Sequence, residues 1–231
     1  MALLLRNGAV FLHIPKTGGN WITKVLQESN LIKGRISHKH ADIERFFSPL
    51  YGNRAELFKY FLKKLRVSRQ QKPFMFCFVR HPLSWYESWF KYMSQPALQW
   101  RDWGDENDIY NWHPNATLNG LGDPDFNQFV RNVIRKRPGY VTELFGWYTK
   151  SQIDFIGKQE NLPEDLIKVL KIMKLDFDED LIRNYKKVGE SPMPAERIVW
   201  DADLKEEVSR LEYAGTVRYG YTSTGKPRYY G

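Results

Sequence analysis

The chain has almost no cysteine: Cys77 is the single one in 231 residues. A disulfide framework is excluded. The thiol lies inside Phe74-Met75-Phe76-Cys77-Phe78-Val79, where a small buried side chain is expected rather than a nucleophile. An intracellular or otherwise reducing setting is expected, and a cytoplasmic one in the absence of targeting signals. Long apolar runs are missing as well. Ala2-Leu3-Leu4-Leu5 stops at Arg6, too short for the core of a secretory signal, and no stretch approaches the roughly 20 residues of a membrane span. No membrane partner is expected. Internal repeats, low-complexity tracts and linkers are also lacking, so a single domain over residues 1–231 is expected.

With 42% hydrophobic and 27% charged residues, the composition is that of a globule large enough to bury its own core. Thirty-five Lys and Arg against 27 Asp and Glu leave a net charge of +8, which favours an anionic partner: nucleic acid, a phosphorylated small molecule or an acidic surface. From Leu57 to Tyr86 acidic residues are absent altogether, while Lys59, Lys63, Lys64, Arg66, Arg69, Lys72 and Arg80 fall there.

Apolar runs and breakers set out the organisation. Ala9 to Ile14 reads as a short buried strand, broken by Pro15, followed by Thr17-Gly18-Gly19-Asn20 and the helical pattern Trp21, Ile22, Val25, Leu26. A second strand from Phe74 ends at Arg80, after which Pro82 suits the first turn of a helix and Trp85, Trp89 and Tyr92 recur at helical spacing. Arg54 to Leu65 reads as an amphipathic crossover helix between the two. An irregular Trp- and Asp-bearing stretch runs to about Asp125. Helices are expected near 125–137 and 139–149, a third strand at Ile153–Ile156, a helix from Pro163 through Met173 and a last one from Ala202 to Val217. Strands alternating with helices predict an α/β domain of three layers, a central parallel sheet flanked by helices, with ligands at the carboxyl ends of the strands.

Two junctions carry the chemistry. Pro15-Lys16-Thr17-Gly18-Gly19-Asn20 places glycine amides, a hydroxyl and a lysine at a helix N-terminus, where phosphate binds. It is not a Walker A loop, because Lys16 precedes the glycines instead of following them. At the other junction, Arg80-His81-Pro82 opens a helix on which Ser84 and Ser88 share a face at i and i+4; an arginine fork with a hydroxyl is what a separate phosphate monoester needs. A magnesium-dependent NTPase would usually place an acidic residue at that strand end, not Arg80.

These segments resemble those of sulfotransferases that use 3'-phosphoadenylyl sulfate. His13-Ile14-Pro15-Lys16-Thr17-Gly18-Gly19 is similar to the family's loop for the 5'-phosphosulfate, in its carbohydrate or heparan-type branch. Phe78-Val79-Arg80-His81-Pro82 running to Ser88 resembles its 3'-phosphate motif, with Arg and Ser eight positions apart. Ile156 to Leu162 resembles the segment near the adenine, and Tyr219-Gly220-Tyr221 the C-terminal ending. The chain departs from the pattern at Gly19 and Asn20, where many members carry Ser or Thr, and at Gln159, where aryl-type members carry Tyr. The resemblance implies a P-loop-like fold in which Lys16, Thr17, Gly18, Gly19 and Asn20 hold the 5'-phosphosulfate and Arg80 with Ser88 the 3'-phosphate. Trp21 either stacks on adenine or belongs to the core.

Ser37-His38-Lys39-His40-Ala41-Asp42 supplies a base. In extended chain His38 and His40 project to the same side, and the resemblance to the His-x-His of heparan-type enzymes makes the second, His40, the general base, with His38 supporting. Sulfuryl transfer then needs Lys16 to neutralise charge on the bridging oxygen and neutral His40 to accept the hydroxyl proton, with no metal. The acceptor is expected to be a carbohydrate or small-molecule hydroxyl. Trp85 and Trp89 read as core. Trp100, Trp103 and Trp112 share their stretch with Asp102, Asp105, Glu106 and Asp108, which suits a hydroxylated acceptor better than a polyanionic glycan. The rival readings are a magnesium-dependent small-molecule or nucleotide kinase and a basic nucleic-acid-binding protein. Neither explains the joint placement of Lys16, the glycines, Arg80 and Ser88.

Overall fold

A computed structural model of the chain describes residues 2–36, 39–47, 72–105, 108, 111–189 and 198–222. It is an α/β fold around a mixed sheet, five-stranded among the described residues, and divides into two compact units. The first comprises residues 1–78, 147–157 and 161–186; the second comprises 79–146, 158–160 and 187–231. The expected crossover helix from Arg54 to Leu65 lies outside the described residues.

The first unit is built on the sheet, in the order β3-β1-β2-β4-β5. β1 (Ala2–Leu5) and β2 (Val10–Leu12) form an antiparallel hairpin with Leu3 opposite Phe11. The turn between them is too short for a crossover. Gly8 takes a φ of 89°, and its N–H donates to Leu5 O at 3.0 Å. β3 (Ile32–Ile36) pairs antiparallel on the other side of β1. β2 and β4 (Met75–Val79) run parallel, Val10 opposite Met75 and Leu12 opposite Cys77. The sheet is therefore mixed where a parallel one was expected: Ala2–Leu5, read only as an apolar stub, is a strand, and its hairpin reverses the chain.

Every residue of β4 is fully buried, Cys77 included, and burial pushes that thiol's pKa far up, leaving it inert. Asp154 anchors the strand's start: its carboxylate accepts from Met75 N (2.8 Å) and Lys72 Nζ (2.9 Å), while its N–H donates to Met75 O (2.8 Å). With Asp154 so used and Ile153 N–H bonded to Lys150 O at 3.0 Å, β5 starts at Phe155 and runs to Lys158, two residues later than its apolar pattern predicts. Helix α1 (Gly19–Glu28) follows β2 and buries Trp21, Ile22, Val25 and Leu26. The short α2 (Ile43–Phe47) starts at Asp42, whose carboxylate accepts from Arg45 N at 2.7 Å.

The second unit is helical. Pro82 stands at the start of α3 (Pro82–Met93), which buries Trp85 stacked on Trp89 at 5.8 Å, as core. A 3₁₀ turn (Pro114–Leu118) precedes α4 (Phe126–Lys136) and α5 (Tyr140–Tyr148), most of which lies in this unit. The 3₁₀ turn at Gln159–Asn161 precedes α6 (Leu162–Ile172), which lies in the first unit, as does α7 (Glu179–Asn184). In the second unit, the last expected helix is two, α8 (Ala202–Leu211) and α9 (Tyr213–Arg218), divided at Glu212.

The break has a purpose. Glu212 is 1% exposed, and its carboxylate accepts from Tyr86 OH (2.8 Å), Val141 N (3.0 Å), Thr142 N (2.8 Å) and Thr142 Oγ1 (2.6 Å). A buried carboxylate thus caps the N-terminus of α5, where the helix dipole favours negative charge. Glu212→Ala leaves these donors without an acceptor, and a loss of about 3 kcal/mol is expected, read as a lower urea midpoint at unchanged slope.

Candidate functional site

In the first unit the candidate site is a turn. β2 ends at Leu12, and His13 to Gly18 carry the chain into α1. Lys16 takes a φ of 66° and Gly18 one of 84°, with Thr17 between them outside the left-handed region. For lysine that conformation costs about 1–2 kcal/mol. The turn delivers the chain to the start of a helix, where backbone N–H groups and the helix dipole suit an anion. Gly18 is the N-cap and accepts Ile22 N–H at 3.1 Å; a Cβ there would press on the Leu162 side chain. A Cβ on Gly19 would overlap the His13 ring. Thr17 is buried, and its hydroxyl donates to Ile14 O at 3.0 Å, so its proton is engaged within the turn. Lys16 is half-buried and Asn20 exposed. Trp21 is buried and meets Tyr185 edge to face at 6.2 Å.

The same unit holds His40. Its Nδ1 is 2.9 Å from the carbonyl oxygen of His13. A carbonyl only accepts, so Nδ1 carries the proton and Nε2 is the basic nitrogen of the neutral ring. The His13 and His40 rings meet edge to face at 4.7 Å, and the Tyr148 hydroxyl donates to the His40 carbonyl. Two residues on, Asp42 pairs with Arg45 at 2.6 Å and fixes the chain as it enters α2. His38 lies outside the described residues.

The second unit contains the other expected cluster. Ser84 and Ser88 are half-buried on one face of α3, and Arg80 precedes that helix. Burial lowers the Arg80 pKa while Glu160, Glu87 and Tyr221 act against it; the guanidinium stays charged. Glu160 ties the cluster together. One oxygen accepts His81 N–H at 2.8 Å, the other the Tyr221 hydroxyl at 2.9 Å. Lys158 donates to Gly220 O at 3.1 Å and lies 5.2 Å from the Tyr221 ring. Three segments far apart in sequence, ending at Arg80, Glu160 and Tyr221, thereby meet.

The tryptophans of the irregular stretch are largely packed. Trp112 is buried, Trp100 lies on Phe129 at 5.0 Å, and Trp103 stacks on His113 at 5.0 Å under the Arg101 guanidinium at 4.3 Å. Among the described residues, no group of three or more His, Cys, Asp or Glu side chains could hold a metal, and no helix is long and apolar enough to cross a membrane.

The profile of the sulfotransferase family matches residues 5–199. The chain belongs to the sulfotransferase family. Searches of curated proteins and of solved structures return no match. Membership makes this chain a transferase and supports sulfuryl transfer; the α/β fold with its flanked mixed sheet is consistent with it.

Sequence reasoning singled out Lys16, the glycines, His40, Arg80 and Ser88, and missed the groups that hold them. Glu160 falls within the segment that resembles the adenine-side motif, and its sequence neighbours assign it no role; a carboxylate soon after a strand carries no signal that it will bond residues 81 and 221. Tyr148 and the His13 ring likewise have no mark in the sequence.

His81 gives this sulfotransferase a pH dependence. Burial holds its pKa below the ordinary 6.5, partly offset by Glu160, a backbone bond to Thr222 and Glu87, with Lys205 adding to the lowering. The unfolded chain therefore takes the proton first as pH falls. Stability declines from about pH 6.5 down to the lowered native value and is unaffected above neutrality. Urea unfolding from pH 7.5 to 5 is expected to show a steeper acid loss in the wild type than in His81→Asn; equal slopes would remove His81 as the cause.

Proposed function

We propose that this sulfotransferase moves a sulfuryl group from 3'-phosphoadenylyl sulfate to a hydroxyl of a carbohydrate or small-molecule acceptor, as one catalytic domain. The observation that carries the reading is the bond from His40 Nδ1 to the carbonyl of His13: it holds a base with a basic Nε2 against the residue where the glycine turn begins. A proton acceptor and an anion-binding turn in the same unit, 27 residues apart in sequence, are what the reaction requires.

The residues fit the donor's chemistry. The amides after Lys16, ordered by the left-handed residues 16 and 18, are donors for the 5'-phosphate, and Thr17 contributes its N–H, since its hydroxyl proton is engaged by Ile14. Gly19 and Asn20 open α1 beside them, and Trp21 backs the turn from the core. Arg80 and Ser88 serve the 3'-phosphate, a role supported by the Glu160 network that orders the Arg80 segment. When bound, the donor supplies an activated sulfur and a stable anionic leaving group.

Transfer forms a bond from the acceptor oxygen to sulfur and breaks the bond from sulfur to the bridging oxygen, which leaves with the electron pair as the 5'-phosphate of adenosine 3',5'-bisphosphate. Lys16 meets the charge growing on that oxygen, and His40 Nε2 takes the hydroxyl proton, a step typically worth about 10² to 10⁴ in rate. No step calls on a metal. The carbohydrate or heparan-type branch is supported by the His-x-His pattern, and a cytoplasmic setting by the lone buried thiol.

Thermal-shift titration tests the donor. Adenosine 3',5'-bisphosphate at a hundred times its Kd is expected to stabilise the protein by about 2.7 kcal/mol, where ATP with magnesium and 5'-AMP do not. Lys16→Ala and Arg80→Ala lose most of that shift. Stabilisation by ATP with magnesium alone would make the protein a kinase. His40→Ala is expected to keep the bisphosphate shift and lose turnover; full activity in that variant would remove His40 as the base.

A further inference from the structure

His13 touches His40 in two ways. Its carbonyl oxygen accepts a hydrogen bond from His40 Nδ1 at 2.9 Å, and its ring stands edge to face against the His40 ring at 4.7 Å and 61°. The His13 ring is itself wedged. It is buried, lies nearly parallel to Phe11 with centroids 6.1 Å apart, and occupies the volume that a Cβ on Gly19 would need, overlapping it at Cδ2, Nε2 and Cγ. The first residue of α1 is bare where the imidazole sits.

We propose that His13 is a positioning residue for the sulfuryl-transfer base, and that position 19 is glycine to seat it. The proposal rests on the reading of His40 as that base. The physical need is specific. Rotation of a histidine ring about its outer torsion is soft and roughly two-fold, so an unsupported imidazole turns over, exchanging Nδ1 for Cδ2 and re-aiming Nε2. One hydrogen bond to a carbonyl selects the tautomer. A second ring packed against the first fills the space through which it would turn. His13 provides both from one residue, and Gly19 is the condition for the second. Phe11 lies on another side of the wedge, so the ring cannot retreat without disturbing β2. Loss of the wedge misaims Nε2 and leaves the turn's amides, which hold the donor, in place.

The test reads His40 directly, without an acceptor. Long-range proton–nitrogen NMR of the ligand-free protein, with the His40 signals assigned by their absence in His40→Gln, is expected to show the Nδ1–H tautomer in the wild type. His13→Ala and Gly19→Ala, which removes the ring's seat, are each expected to give a mixture of tautomers. Gly19→Ala added to His13→Ala is expected to change nothing further, since the ring it would displace is already gone. An unchanged His40 tautomer in both single variants would overturn the proposal, as would independent, additive effects of the two substitutions.

Kinetics supply the second readout. His13→Ala is expected to lose about a hundredfold in kcat through misorientation, with the donor KM and the thermal shift from adenosine 3',5'-bisphosphate retained. Loss of that shift in parallel with turnover would place His13 in the donor turn and overturn its positioning role. If His40→Gln keeps full turnover while the tautomer results hold, the base reading fails and the orientation of His40 by His13 survives it.

Discussion

The turn that leaves β2 at His13 is the constraint on which the geometry of the first unit's candidate site depends. It holds a lysine in a left-handed backbone conformation, and that strain of about 1–2 kcal/mol persists because the packing of the next helix over-determines the path of the chain. Trp21, Ile22, Val25 and Leu26 drive α1 onto the sheet, each worth about 1.5–3 kcal/mol in burial. Against that, the cost at Lys16 is small. Packing on both sides then limits how the turn can be built: Leu162 leaves no room for a side chain at 18, and the His13 ring leaves none at 19. The glycines usually credited to a ligand's close approach are demanded here first by the protein's own side chains.

In a chain of net charge +8, carboxylates do much of the internal organising. Asp154 fastens the start of β4, Asp42 starts α2, Asp125 caps α4 by accepting from Gln128 N at 2.7 Å, and Asp178 caps α7. Glu212 and Glu160 extend the principle across longer spans, gathering backbone and hydroxyl donors from segments tens of residues away. An acceptor-only group with four lone-pair positions is suited to collecting amides at helix starts, where partial positive charge accumulates.

Much of this was legible in the sequence. Pro15, the glycines and the period of Trp21 to Leu26 announce a strand, a loop and a helix, and β2, β4 and most helices fall within a residue or two of their patterns. The exceptions have local causes. Asp154 is spent as an anchor, which delays β5, and Glu212 turns inward as a cap, which divides the final helix. Ala2–Leu5 carries only four apolar residues, too few to betray a strand until β2 and β3 are seen to pair with it.

Residue types and their spacing along the chain therefore pointed to the α/β class and the family and singled out candidate residues for the chemistry, because hydrophobic period, glycine freedom and charge are local properties. Which nitrogen of His40 is basic, what packs against residue 19, and what holds His81 and Tyr221 to one carboxylate were decided only by folding. Those facts depend on contacts between residues 27, 6 and 61 to 79 positions apart, and neither end of such a contact carries a mark of its partner.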